Sequence, residues 1–334
     1  MRIVLLLAAA ICGAVSLAAG ATADPVKIRL AWVVPVGNWG SLLYEKKDLM
    51  THYGKSYEVE TVHFQSTPSM IAALAAGELD IADLAYSSFA LAVENAGMSD
   101  LRVIADESQD GKPGYGGVSY VVRKDGPVKT IDDLKGRIIA TVGAGAALDI
   151  PVRAIMRRHK MEEPRDYTMV EAAFPNMLPM LLDKKIDLMP AVLPFARDPR
   201  FAAETRPLFS VKEAMGGPTQ TVIWTAHEDF IAKNRAALVD MFEDAVRVTR
   251  FYTDPKNHAE VVQIASRVAK QPPERLDYVF TREAAYLDPD MRPNLTYLQR
   301  SIDVTREMGF LKTKLNVKDY ADLSLLDDAI KRLK

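Results

Sequence analysis

Short apolar runs alternate with stretches of helical periodicity along most of the chain, separated by turn residues. The runs that predict strands are 27–32, 57–64, 79–82, 103–105, 118–122, 137–142, 167–170, 186–189 and 220–225. Helices are predicted at 67–76, 146–159 and 176–182, and the chain after residue 225 is mostly amphipathic helix. This regular alternation is typical of an α/β architecture.

One helix–turn–strand pattern occurs twice, at a spacing of 107 residues. Residues 68–81 and 175–188 each start with proline and end in an Asp flanked by Leu and Ile. Each copy runs into a short apolar loop, 86–89 or 192–195. Any two helix–strand units of an α/β protein look somewhat alike, but these two lie on opposite sides of the turn residues at 124–127. The repeat therefore predicts two similar lobes with a cleft between them.

The N-terminus has the three parts of a secretory signal peptide: basic Arg2, an apolar run from 3 to 19, and an Ala-x-Ala site ending at Ala23. Cleavage there gives signal peptide 1–23 and a periplasmic protein. The alternative is lipoprotein processing at Cys12, although Cys12 sits inside the apolar run. Since Cys12 is the only cysteine, the processed chain has no disulfide, thiolate nucleophile or Cys-ligated metal.

Charge and motif content exclude several classes of function. The net charge is −2 with acids and bases interspersed, so no nucleic-acid-binding surface is indicated. No second apolar stretch reaches the ~20 residues of a membrane span, and we expect a soluble protein. The five histidines are dispersed, no metal-binding or nucleophile-elbow motif is present, and Asp80 and Asp83 would point to opposite faces of a strand. We therefore predict no catalytic residue, metal or cofactor.

Two motifs carry a resemblance to a known family. Residues 70–81 (Met-Ile-Ala-Ala-Leu-Ala-Ala-Gly-Glu-Leu-Asp-Ile) and 130–137 (Thr-Ile-Asp-Asp-Leu-Lys-Gly-Arg), with strand 27–32 and residues 185–188, resemble the nitrate/sulfonate/taurine-type substrate-binding proteins of ABC transporters. That family includes receptors for thiamine pyrimidine precursors and aromatic acids. The resemblance spans nearly the whole processed chain.

The resemblance implies a type II periplasmic binding protein fold, with two α/β lobes joined by a two-strand hinge. Lobe 1 would contain residues 24–122 and 222–334, lobe 2 residues 123–221, and the hinge would lie near 122–124 and 218–221. It also implies a monomeric, non-enzymatic solute receptor that closes on its ligand and docks on an ABC permease with its ATPase. The alternatives are a receptor for a chemoreceptor or sensor kinase, and a thiamine-pyrimidine-synthase-like enzyme, whose Cys-rich motif this chain lacks.

In this family the strand-end loops face the cleft, which nominates aromatic, hydroxyl, amide and small residues as ligand contacts. These are Trp32, Asn38, Trp39, Ser66, Thr67, Tyr86, Ser87, Ser88, Tyr115, Gly143, Gly145, Ala146, Ala147, Phe174, Asn176, Pro194 and Phe195. Such rings and polar groups suit a planar or partly apolar solute. The bulky segment 33–40 replaces a Gly-rich opening and disfavours nitrate. An organic or aromatic acid or a sulfonate is expected. A quaternary ammonium with Asp83 or Glu171 as counter-charge is the alternative.

Several of these residues have a second interpretation. The loop 143–147 would either face an anion with its N–H groups or form a plain tight turn. Trp32 and Trp39 would either contact ligand or pack in the core, and Ser87 and Ser88 would either contact ligand or cap a helix. Arg153 and Arg197 suit an acidic ligand as forked donors, but a solvated or salt-bridged surface group is favoured for both.

Overall fold

The computed structural model describes residues 24–334. The predicted signal peptide, with Cys12, lies outside these residues. Strands are β1 (Val26–Trp32), β2 (Tyr57–His63), β3 (Ala82–Ala85), β4 (Leu101–Asp110), β5 (Ser119–Arg123), β6 (Ile138–Thr141), β7 (Thr168–Glu171), β8 (Met189–Pro190), β9 (Thr205–Ser210) and β10 (Thr219–His227). Helices are α1 (Thr67–Ala75), α2 (Tyr86–Asn95), α3 (Ile150–Arg158), α4 (Phe174–Leu182), α5 (Pro199–Glu204), α6 (Val211–Ala214), α7 (Glu228–Lys233), α8 (Arg235–Thr253), α9 (His258–Ala269), α10 (Leu295–Glu307) and α11 (Ser324–Arg332).

The strands form two sheets with the same topology. In the first, β1 and β2 are parallel, Ile81 just before β3 bridges to Leu30, and β10 runs antiparallel between β3 and β4. In the second, β6 and β7 are parallel, Leu188 just before β8 bridges to Ile139, and β5 runs antiparallel between β8 and β9. The orders β2-β1-β3-β10-β4 and β7-β6-β8-β5-β9 therefore correspond strand for strand. The predicted α/β class is confirmed.

The sequence repeat corresponds to this shared topology. Helices α1 and α4 are both followed by a left-handed residue, Gly77 (φ 67°) and Lys184 (φ 62°). In each copy the following Asp accepts a backbone N–H from the adjacent parallel strand: Asp80 from Arg29 at 2.7 Å and Asp187 from Ile138 at 3.2 Å. The repeated Asp thus ties the start of the third strand to the sheet in both lobes.

Strand pairing moves both expected crossings between lobes. Because β5 pairs with β8 and β9, the chain reaches the second sheet within residues 111–118. Because all of β10 pairs in the first sheet, the return lies at 215–218. The expected boundaries, between residues 122 and 123 and between residues 221 and 222, fall inside β5 and β10. The turn residues at 124–127, which suggested the first boundary, follow β5 within the second sheet. We therefore propose two lobes that cross at 111–118 and 215–218.

Three element predictions also needed correction. The helix expected from residue 146 begins at Ile150, because Gly145 holds a positive φ of 77° in the turn before it. The strand expected at 79–82 forms at Ala82–Ala85, and the one at 186–189 is reduced to Met189–Pro190. The chain after β10 is mostly helical, as predicted, with an irregular segment at 276–294.

Apolar side chains pack into a core in each lobe and a third cluster that both lobes share. The first-lobe core surrounds Trp39, Trp224 and Phe242, and the second-lobe core contains Met177 and Phe201. The shared cluster joins residues such as Leu84 and Phe89 of lobe 1 to Tyr120, Ile139 and Ile155 of lobe 2. The two lobes are therefore in direct contact.

Candidate functional site

A cavity of about 190 Å³ lies where the two lobes meet. Lobe 1 contributes the loop after β1, the start of α1, the ends of β3 and β4, and the irregular segment 278–287. Lobe 2 contributes the loop after β6, the start of α4, and the loop after β8. Loops at the carboxyl ends of parallel strands and interfaces between domains are the usual places for ligands in α/β proteins. This cavity is the candidate ligand site.

The lobe 1 wall carries two buried carboxyl groups. Asp83 on β3 is 1% exposed, and neither of its carboxyl oxygens has a hydrogen-bond partner among the described residues. Burial, with a smaller effect from the negative charge of Glu107, raises the Asp83 pKa well above its usual value. Asp110 at the end of β4 accepts the Val118 N–H at 2.6 Å through Oδ2, while Oδ1 has no partner. Burial raises the pKa of Asp110 to about 6.

Two more buried acids lie behind this wall on β4. Glu107 accepts the backbone N–H of Trp39 and the indole N–H of Trp224, and burial raises its pKa. Asp106 accepts the side-chain amide of Gln220 and, at 3.0 Å, the N–H of Asp288, and burial raises its pKa to about 7. Lobe 1 thus presents an acidic, strongly desolvated interior to one side of the cavity.

The lobe 2 wall is apolar. Its lining side chains are Val142, Ala146, Ala147, Leu148, Phe174, Ala191, Val192 and Leu193. Phe174 at the start of α4 stacks on Phe195, with ring centroids 6.0 Å apart and an interplanar angle of 24°. Because Phe195 supports the ring from behind, Phe174 offers a fixed flat surface to the cavity.

The charged groups among the lining residues are all carboxylates: Asp83, Asp110 and Glu283. Within the described chain, no lysine, arginine or histidine lines this cavity. An anionic solute would therefore find no cationic side chain on its walls.

The backbone of the loop 143–147 is already hydrogen-bonded within the protein. The Gly145 N–H donates to Asp149 at 2.8 Å, the Ala144 N–H to Glu171 at 3.4 Å, and the Ala146 N–H to the Gly143 carbonyl at 3.1 Å. Such internal hydrogen bonds are expected if the loop is a plain tight turn. The anion alternative requires the same N–H groups to be free.

Some of the nominated residues line the cavity and others lie outside it. Those on the wall are Asn38, Ser66, Thr67, Ala146, Ala147 and Phe174. Those outside the lining are Trp32, Trp39, Tyr86, Ser87, Ser88, Tyr115, Gly143, Gly145, Asn176, Pro194 and Phe195. Asn38 has a structural contact as well, since its side-chain oxygen accepts the N–H groups of Val33 and Val34 at 3.1 and 2.6 Å.

The two nominated tryptophans pack within lobe 1. Trp39 is fully buried and stacks on Phe280 at 5.2 Å, because the 3₁₀ turn that begins at Trp39 directs the ring into the core. Trp32, at the end of β1, packs against His63 of the neighbouring strand at 4.5 Å. Trp39 therefore packs in the core, which was the alternative to ligand contact. Trp32 packs against the neighbouring strand.

Residues at the start of α2 support the wall from behind. The Tyr86 hydroxyl donates to the Ala147 carbonyl at 2.9 Å, joining the lobes, and the Ser88 hydroxyl lies 2.8 Å from that of Thr67. Ser87 is fully buried. Neither serine is an N-cap, because the N-cap of α2 is Ala85.

The remaining nominated residues lie at the edges of the site. Tyr115, in the first crossing, packs edge-on against Tyr286, with ring centroids 4.9 Å apart. Asn176 is exposed on α4. Pro194 is buried beside the lining residue Leu193.

Neither of the two arginines lines the cavity, and both are engaged in ion pairs. Arg153 pairs with Asp149 at 2.9 Å and Glu163 at 2.6 Å. Arg197 pairs with Glu283 of lobe 1 and lies over the Tyr278 ring at 5.1 Å. The ion-pair alternative therefore describes both, and Arg197 additionally links the lobes.

Sequence reasoning missed Asp110 and the segment 278–287. Only residues 103–105 were assigned to the strand, although β4 continues to Asp110. The signal was available in acids at positions 106, 107 and 110, directly after an apolar strand and before a turn. The segment 278–287 carries no comparable signal, because its side chains reach the cavity from an irregular loop.

Two family models match parts of the chain. Residues 47–172 match the model described as ABC transporter, phosphonate, periplasmic substrate-binding protein, and residues 117–253 match the model described as NMT1/THI5 like. No curated protein matches the sequence significantly.

Solved structures share the fold over nearly the whole chain. The alkanesulfonate-binding protein SsuA from Xanthomonas axonopodis pv. citri bound to MOPS is 16% identical, with 90% of this chain and 99% of that chain covered and a TM-score of 0.69. The periplasmic nitrate-binding protein NrtA from Synechocystis PCC 6803 is 13% identical, with 93% and 89% covered and a TM-score of 0.69. The resemblance found in the sequence and the predicted binding-protein fold are confirmed.

The same fold also occurs in an enzyme. The desulfurization enzyme DSZB is 14% identical, with 92% of this chain and 100% of that chain covered and a TM-score of 0.64. The fold alone therefore does not separate a receptor from an enzyme. Within residues 24–334, no helix combines the length and apolar character needed to cross a bilayer.

Proposed function

We propose that this chain, which shares its fold with periplasmic substrate-binding proteins and matches an ABC-type model of them over residues 47–172, is the solute receptor of an importer. The observation that carries the proposal is the cavity between two lobes of like topology, lined by strand-end loops from both. A solute held there contacts both lobes at once, so binding favours the closed arrangement. The importer, a permease with its ATPase, would recognise that arrangement.

Contacts between the lobes support hinge closure as the mechanism. Tyr86 donates to the Ala147 carbonyl at 2.9 Å, and Arg157 donates to the Glu307 carbonyl at 2.7 Å. Arg197 pairs with Glu283 on another side of the cavity. These three polar contacts are worth about 1 kcal/mol each and can be made and broken as the lobes move. The apolar cluster that both lobes share holds them together in addition. We place the hinge at the crossings 111–118 and 215–218.

The cavity favours a small organic solute over an inorganic anion. Its volume exceeds the roughly 150 Å³ that accommodates benzene in an engineered protein cavity, and most of its lining side chains are apolar. The expected carboxylate or sulfonate would have to rely on the helix starts at the cavity, those of α1 and α4, where neither N-cap residue makes a capping bond with its side chain. An acid ligand is thus a candidate with one structural feature in its favour.

The alternatives to import differ in what they require of the protein. A thiol-dependent enzyme needs a cysteine, and the only one, Cys12, falls in the predicted signal peptide. A chemoreceptor or sensor kinase would read the same closed form as a permease would. Co-purification of the solute-loaded protein with the permease, compared with a membrane sensor, distinguishes these partners. We propose a periplasmic location and a monomer for the processed chain.

A thermal-shift screen of residues 24–334 tests the receptor proposal. The panel contains organic carboxylates, sulfonates, taurine, nitrate, thiamine precursors, amines and betaines. A solute at 100 times its Kd adds about 2.7 kcal/mol of stability, which raises Tm by several degrees. We expect Ala147→Leu, which fills the cavity wall, to abolish the shift, while Ala202→Leu, at an exposed position of α5, retains it. Equal shifts in both variants would place binding outside this cavity.

A further inference from the structure

We propose that the solute is a small organic cation, with its protonated nitrogen held by Asp83 and Asp110 and its apolar body against Phe174 and Leu193. This inference rests on the proposed receptor function and names the class of solute. It departs from the acid or sulfonate that the sequence favoured.

The primary observation is Asp83. Its side chain lines the cavity, is buried, and has both carboxyl oxygens without a partner among the described residues. Leaving a buried carboxylate unpaired is costly, and a cationic ligand removes that cost by supplying charge and N–H donors. Asp110 adds a second free oxygen, Oδ1, on the same cavity, whereas its Oδ2 is held by the Val118 N–H.

No cationic side chain of the described protein takes the place of the ligand. Lys212, whose charge lowers the pKa of Asp110, is exposed and is absent from the lining. Arg197 and Arg153 are held in ion pairs of their own, Arg197 with Glu283, and Arg153 with Asp149 and Glu163. The two carboxyl groups are therefore open to a donor that arrives in the cavity.

The opposite wall determines the rest of the ligand. Phe174 and Leu193 face a volume of about 190 Å³, enough for a six-membered ring with a short amino arm. A cation that is polar throughout would leave this wall without apolar contact. A hydrocarbon without a nitrogen would leave Asp83 unpaired. A ring- or branch-bearing primary amine satisfies both walls.

Charge at the site gives a proton linkage with a definite sign. The pKa values of Asp83 and Asp110 are raised in the free protein, mainly by burial, and a cation binds the ionised forms. Cation binding should therefore release protons, and affinity should increase from pH 5 to pH 8. For an anion, affinity should decrease over the same pH range, with proton uptake on binding.

Other titratable groups lie near the two acids. The negative charge of Glu107 on β4 acts on Asp83, and Glu283 lines the same cavity. The titratable groups around Asp110 are Lys212 of α6, Tyr86 and Tyr120.

The experiment compares ring compounds of similar size and different charge: benzylamine and cyclohexylamine, benzyl alcohol, benzoate and benzenesulfonate. Titration calorimetry at pH 6 and pH 8, in two buffers of different ionisation enthalpy, measures affinity and proton exchange. We expect an amine to bind tightest, with proton release and higher affinity at pH 8. A response from benzoate or benzenesulfonate alone overturns the cation inference and leaves the receptor proposal in place. If no compound of this set or of the wider screen binds, both the cation inference and the receptor proposal are overturned.

Variants at the two carboxyl groups separate binding from folding. Asp83→Asn and Asp110→Asn should each weaken amine binding about tenfold or more. Asp83→Asn should also raise the Tm of the free protein, since it removes an unpaired buried acid. Asp183→Asn, at an exposed position of lobe 2, is the control and should change neither. Folded Asp83→Asn and Asp110→Asn proteins that bind the amine as tightly as the unsubstituted protein would overturn the assignment.

Discussion

The two lobes share a strand order, yet the corresponding positions of their cavity walls differ in chemistry. At the 107-residue spacing, Asp80 corresponds to Asp187, and both accept a backbone N–H from the neighbouring strand. Three residues later Asp83 corresponds to Pro190, so the position that carries the free carboxylate in lobe 1 is occupied in lobe 2 by a residue that has no polar side chain and lies outside the cavity lining. At the helix starts, Thr67 corresponds to Phe174, and both line the cavity. Residues that hold the sheets are alike, while residues that reach the cavity are not.

The difference shows how one topology produces an amphipathic cavity. Equivalent backbones direct equivalent positions toward the cleft, so a polar residue in one copy and an apolar residue in the other face each other across it. Both lobes place aromatic rings on the cavity, Tyr278 and Phe280 from lobe 1 and Phe174 from lobe 2. The tryptophans Trp39 and Trp224 pack in the lobe 1 core instead.

The largest expected effect tests the assignment of Trp39 to the lobe 1 core. Trp39→Ala should lower the free energy of unfolding by about 3–5 kcal/mol, because it empties a fully buried site between Phe280 and Tyr252. Chemical denaturation measures this. Trp32→Ala is the matched control and should cost less than half as much, since Trp32 is only partly buried. Equal losses would contradict the distinction between the two rings.

The acidic interior of lobe 1 should make stability depend on pH. Burial raises the pKa of Asp106 from an ordinary 3.8 to about 7, so the folded state holds this proton more tightly than the unfolded chain. The resulting stability is complete below about pH 4 and is lost as pH rises through 7, by about 2–4 kcal/mol.

Asp106→Asn sharpens that prediction. The variant should match the unsubstituted protein near pH 4, exceed its Tm at pH 8, and show a flatter profile between them. Exposed Asp183→Asn in lobe 2 should keep the original profile. An unchanged slope in Asp106→Asn would exclude Asp106 as its source.

The apolar wall of lobe 2 should contribute more to binding than the corresponding position of lobe 1. Phe174→Ala should weaken binding of the solute identified in the screen by about 1–3 kcal/mol, through lost apolar and stacking contact. Thr67→Ala at the corresponding position should weaken it less. Titration calorimetry compares the two. A larger loss in Thr67→Ala would mean that the polar wall dominates.

The smallest expected effect concerns the repeated Asp. Asp80 accepts two further hydrogen bonds from the Arg29 guanidinium, at 2.9 and 2.7 Å, whereas Asp187 lies 3.8 Å from Arg123. Asp80→Asn should therefore cost about 1–2 kcal/mol and Asp187→Asn less than about 1 kcal/mol. Denaturant midpoints provide the comparison. A reversed order would show that the two copies are not held in the same way.

Much of the fold was predictable because local patterns specify it. Strands β1 and β2 and helices α1 and α4 follow directly from periodicity and from turn residues such as Gly77. The end of β4 and the sheet to which β5 belongs were not predicted, because pairing with distant strands extends β4 to Asp110 and assigns β5 to the second sheet. The candidate site was predictable only as a set of strand-end loops.

By itself, the sequence determined the α/β class, the repeat, the family resemblance and the position of the cleft, since these depend on periodicity and on motifs within single segments. Only the tertiary structure decided which side chains line the cavity. Trp39 turns into a core built by α8 and residues 276–294, and Asp110 reaches the cavity from the end of a strand fixed by β10. Whether a side chain meets ligand or core depends on neighbours far away in sequence, and so does the burial that leaves Asp83 without a partner.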